Sequence, residues 1–154
     1  MSEALERIAK DFEDFCQSVE ACRSAEAFRP VDWKSAYGAL GRLRDRYSHE
    51  KDNLAAEELS ALQKVFDNDT FMEGMMHFRQ VSEHVIKRGG AQITTTKNVP
   101  IQLTVESSAM AVFAGPVVVL PDIKRERHTI DHLKMLEEAQ RRISAALARA
   151  NPSC

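Results

Sequence analysis

Long apolar runs are missing from this sequence. The longest mainly apolar stretch, Ala109 to Leu120, is interrupted by Gly115-Pro116 and falls short of the roughly 20 residues that cross a bilayer. The charged start, Met1-Ser2-Glu3-Ala4-Leu5-Glu6-Arg7, lacks the basic-then-apolar pattern of a signal peptide, which predicts a soluble, cytoplasmic protein. Cysteine is scarce too. Cys16, Cys22 and Cys154 contain no CxxC pair, which excludes a zinc ribbon or a thioredoxin-like site. Six helical residues separate Cys16 from Cys22 by roughly 9 Å, beyond the reach of a disulfide. Two small core residues and a third thiol are the expected reading, as in a reducing compartment.

Charge of one sign is lacking as well. The 21 basic and 23 acidic side chains leave a formal charge of −2, which argues against a strongly basic nucleic-acid face. Walker A and Rossmann glycine patterns do not occur, nor do GxSxG or HExxH. Phosphate-cradle nucleotide chemistry and the nucleophile-elbow hydrolases are thereby excluded, and no cofactor is expected. The composition, 44% hydrophobic and 29% charged over 154 residues, is that of one globular domain, 1–154.

Apolar periodicity supplies most of the expected architecture. Leu5, Ile8, Phe12, Phe15, Val19 and Cys22 recur at alternating spacings of three and four, predicting a helix over about 2–25. Such a stripe docks on the chain's own core, or serves as a seam for a partner copy. Pro30 and Asp32 announce a second helix, about 31–47, with Trp33, Ala36, Tyr37, Leu40 and Leu43 inward. Gly38 and Gly41 lie inside it, and close helix–helix approach is the expected reason. A third helix is expected over 54–66. Asp67-Asn68-Asp69-Thr70 reads as a turn that caps a fourth, about 70–88, which Gly89-Gly90 ends.

Composition then shifts. Residues 91–121 hold one Lys and one Glu and are dense in Thr, Val and Ile. Val99, Ile101, Leu103 and Val105 alternate with polar neighbours, and strands are expected within 92–120. The chain would turn at Glu106-Ser107-Ser108 and return along 110–120 as a β-hairpin or small antiparallel meander. A long last helix is expected over about 122–150, spanning roughly 42 Å. The predicted class is therefore mainly α (α+β): about five helices, with the hairpin inserted before the last.

Three functional readings follow. Two long amphipathic helices and an apolar segment in need of cover favour a non-enzymatic interaction, adaptor or regulatory module, acting as a homodimer. Its candidate contact residues are Val105, Val112, Phe113, Val118, Leu133 and Leu136. The first 30 residues carry seven acidic against four basic side chains, whereas 122–154 carry five against seven, so the terminal helices attract each other. The second reading rests on Arg44-Asp45-Arg46-Tyr47-Ser48-His49, which resembles the Arg-x4-His motif of HEPN-type ribonucleases. That resemblance implies a helical dimer cleaving RNA without metal, with His49 moving a proton and Arg44 holding the anionic phosphorane. The same spacing recurs at Arg79-x4-His84 and Arg127-x4-His132.

The third reading is a helical metal protein. His77 lies four residues after Glu73 and seven before His84, and His128 and His132 are an i,i+4 pair, so two facing helices would offer imidazoles to one ion. Separately, Lys124, Arg125 and Arg127 form a basic patch able to attract an anion.

Overall fold

The computed structural model describes backbone and side chain over residues 1–24, 32, 34–69, 71–73, 75–76 and 133–152, and backbone alone over 30–31, 33, 91–96, 99–106, 119–122 and 127–132. Of the residues described in both, 90% are helical and none lies in a strand. The fold is mainly helical.

Helix α1, Glu3–Ser24, begins where the Ser2 hydroxyl accepts the Leu5 N–H at 3.1 Å, filling one of the amide vacancies that every helix start leaves. Glu3 and Glu6 in the first turn and Arg23 in the last have the signs that the helix dipole favours. Leu5, Ile8, Phe15, Val19 and Cys22 are buried and Phe12 is half-buried, so the stripe faces the chain's own core. Helix α2, Pro30–Glu50, packs along α1 and buries Ala36, Tyr37, Leu40, Leu43 and Tyr47. Among the described residues, a Cβ added at Gly38 would meet the Arg42 guanidinium of the same helix, at 3.5 Å, and no neighbouring helix.

A 3-10 turn, Lys51–Asn53, leads to helix α3, Ala56–Phe66, which buries Ala61, Leu62, Val65 and Phe66. Asp69 Oδ1 accepts the Met72 N–H at 3.1 Å, and residues 71–73 and 75–76 are helical, with Phe71, Met72 and Met75 buried. The last helix, α4, His132–Ala150, lies against α3 and α1. Its buried face is Met135, Leu136, Ala139, Ile143, Ala146 and Ala150, and the three alanines let neighbouring backbones come close. No described helix is long and apolar enough to cross a membrane.

Two expectations are corrected. The inserted hairpin, with 99–105 folding back on 110–120, is not seen. The backbone is extended at β1 (Ala91–Thr96), β2 (Val99–Glu106), β3 (Val119–Asp122) and β4 (Arg127–Asp131), in the lateral order β1-β2-β4-β3. Thus β2 lies between β1 and β4 and does not pair with β3, and this order is not that of a meander. Period-two alternation marks a strand and its faces, but partner choice depends on contacts far away in sequence.

The last helix is also shorter than its apolar pattern suggests. It starts at His132, not near 122, and its 19 residues span about 28 Å. The basic run Lys124 to Arg127 opposes the positive end of a helix dipole, and β-branched Thr129 and Ile130 favour extended backbone. Of the residues expected to open that helix, 122 and 127–131 lie in β3 and β4 instead.

Candidate functional site

Arg44 lies on α2 at the edge of a groove of about 480 Å³, whose other walls come from the end of α3 and from residues 71–76. Gly41, Asp45, Ser48, Phe66, Asp67, Glu73 and Met76 complete its lining. The Arg44 guanidinium donates to Ser48 Oγ at 2.7 Å and to Asp67 Oδ1 at 3.4 Å, and lies 5.6 Å from the centre of the Tyr47 ring. Tyr47 is fully buried, stacks on Phe66 with centroids 4.7 Å apart, and donates its hydroxyl to Asp67 Oδ2 at 2.6 Å. Burial, then the Asp67 carboxylate, hold the Tyr47 phenol well above its ordinary pKa, so it stays a protonated donor.

His49 is not part of this groove lining. Five residues along a helix amount to a rotation of about 140°, and the His49 Nδ1–H donates to the Asp45 carbonyl at 2.7 Å on the exposed side of α2. Among the described residues, the groove lining holds three carboxylates, from Asp45, Asp67 and Glu73, and one already-paired arginine, a balance that disfavours a phosphodiester. We expect wild-type and His49→Ala protein, purified identically, to cleave single-stranded RNA at the same background rate. A loss of activity confined to the His49 variant, with helicity unchanged, would restore the ribonuclease reading.

The other strong polar contacts fasten helix ends together. Glu58, only 6% exposed, accepts the Ser2 N–H at 2.9 Å and the Ser2 hydroxyl at 2.6 Å through its two oxygens. Its Oε2 also accepts the Ala55 N–H at 3.0 Å, so one carboxylate ties the starts of α1 and α3. Burial pushes this carboxyl up, but the Ser2 and Ala55 donors outweigh it and leave the pKa below the usual range. Arg7 grips Glu50 through two parallel hydrogen bonds of 2.7 and 3.1 Å, joining α1 to the end of α2, and holds the Glu50 carboxyl low.

Arg142 on α4 reaches Asp69 at 2.8 and 2.7 Å and Glu138 at 2.8 Å, with its guanidinium 4.7 Å from the Phe71 ring centre. The hydrogen bonds from Arg141, joined by those from Arg142, pull the Glu138 carboxyl down to about 2.

Leu136 is fully buried in the chain's own core and Leu133 packs against that core, so neither is a bare surface residue. The side chains of Val105, Arg127, His128 and His132 lie outside the described residues, and only their backbone is placed. Val112, Phe113, Val118, His77, His84, Lys124 and Arg125 also lie outside them. Among the described residues, no three His, Cys, Asp or Glu side chains are grouped to hold a metal ion. Cys22 is buried, and burial, with a smaller push from Asp32, raises its thiol to about 11.

Sequence reasoning passed over Glu58 and Arg142. Glu58 had a visible signal, since it stands three residues after Ala55, where a helix N-terminus commonly has a glutamate that reaches back. Arg142 had none, because its partner Asp69 is 73 residues away. No family model matches this chain, and no curated protein or solved structure is significantly similar to it.

Proposed function

We propose that this chain is a helical protein-interaction module that works as a homo-oligomer, with no catalytic step of its own. One observation carries the reading: the well-engaged polar side chains of the helices fasten the scaffold. Glu58, Glu50, Asp67 and Asp69 each bind groups from a distant part of the chain, and among the described residues the carboxyls of Glu50, Glu58 and Glu138 are held low. An acid–base catalyst needs a group whose pKa is brought toward the working pH, and these three are displaced away from it. In sequence, the segment 91–121 holds only two charged residues in 31, a composition that association would serve to cover.

Light scattering at micromolar concentration tests this. The expected mass is twice 17.3 kDa, with Val105→Asp and Val118→Asp both shifting it toward the single-chain value. A wild-type chain that stays at 17.3 kDa up to the highest soluble concentration overturns the proposal.

A further inference from the structure

Between α1 and α4 lies a groove of about 350 Å³. Phe12 and Cys16 from α1 and Glu137, Gln140, Arg141 and Ser144 from α4 line it. Phe12 is the one member of the α1 stripe that is not fully covered, and its ring meets the buried Phe15 at 6.4 Å between centroids. Leu133, one turn before Glu137 on the same face of α4, is likewise half-covered. This face therefore offers two half-open apolar side chains beside the polar Gln140 and Ser144.

We propose that the α1–α4 groove is where a second copy of this chain docks, with its α4 antiparallel to this one. The proposal rests on the homo-oligomer reading above and assigns its helical contact. Glu137 and Arg141 are four residues apart on one face, with opposite charges. A two-fold axis crossing α4 midway between them brings Glu137 against the partner subunit's Arg141, and the reverse, so the face is complementary to itself. A partner with a different charge order would place like charges together at one end of the groove.

Both side chains are free enough to re-pair. Glu137 is 43% exposed and contacts Arg23 at 3.5 Å, while Arg141 is 68% exposed and contacts Glu138. Exposed pairs of this kind contribute little, so exchanging them across an interface costs little.

The test is a charge swap on the full chain, read by light scattering, with circular dichroism confirming unchanged helicity. Arg141→Glu and Glu137→Arg, each alone, should lower the apparent mass from two chains toward one. The double variant, Glu137→Arg with Arg141→Glu, should restore it, because the reciprocal contacts are then attractive again. Single variants that keep the two-chain mass overturn this face while leaving the homo-oligomer reading standing, and so does a double variant that stays at one chain. A wild type that is itself a monomer overturns both.

Discussion

Replacing Phe15 by alanine should lower the free energy of unfolding by about 3–5 kcal/mol, the usual range when a buried phenylalanine leaves a cavity that its neighbours only partly fill. Phe15 is completely inaccessible, on the central turn of the α1 stripe. Phe12 is half-covered and keeps one side toward the α1–α4 groove. Phe12→Ala should therefore cost clearly less, about half as much, since less apolar area is returned to water. Urea denaturation of both variants makes the comparison, at two protein concentrations. An internal core requires the larger Phe15 effect to be the same at both. If the two substitutions cost the same, or if the Phe15 cost grows with protein concentration, the α1 stripe is a seam between copies and not the chain's own core.

That choice, core or seam, was open in the sequence because a 3-4 stripe satisfies both. Only the position of α2 alongside α1 decides it, and that is a tertiary fact. The first two helices were readable, because each carries its period and punctuation locally; the expected end of a helix at Gly89-Gly90 lies outside the described residues. The stripe from Leu5 to Cys22 predicts 2–25 and the helix is Glu3–Ser24; Pro30 marks the start of α2, and the turn at 67–70 holds the capping Asp69. Legibility failed where the deciding interaction is remote. The alternation from Val99 to Val105 predicts a hairpin folding back on 110–120, yet the neighbours of β2 are β1 and β4, and β4 comes from residues expected to begin the last helix. There the apolar residue Ile130 matched the helical period while Thr129 and the basic run beside it opposed helix.

The candidate site was less legible than the fold, for a related reason. The Arg44-x4-His49 spacing is a linear pattern, but whether two side chains meet depends on rotation about the helix axis and on what each finds nearby. Arg44 finds Ser48 and Asp67; His49 finds the Asp45 carbonyl. Neither choice can be seen in a string of letters. The same limit hid the Asp69–Arg142 contact, in which an expected helix cap has a second role.

Arg142→Leu is the second substitution from which a large effect is expected, about 1–3 kcal/mol at neutral pH. It removes a two-pronged contact to Asp69, a bond to Glu138 and a stacked contact with Phe71, at a site where the Arg142 side chain is only 25% exposed. The remaining exposure keeps the figure below that of a fully buried pair. The pH dependence separates charge from packing. Glu138 titrates near 2 in the folded chain against 4.5 for the free side chain, so its contribution is fully present above 4.5 and is lost as pH falls toward 2. Arg142 shares in that depression after Arg141, so the leucine variant has less of this stability to lose. The gap between wild type and variant, measured as the difference in urea midpoints, should therefore hold from pH 6 down to about 4.5 and narrow from there to about 2, as Glu138 takes up its proton. A gap that stays constant across this range would assign the whole effect to the lost contact with Phe71, and would remove the ion pair as the link between α4 and the turn at Asp69.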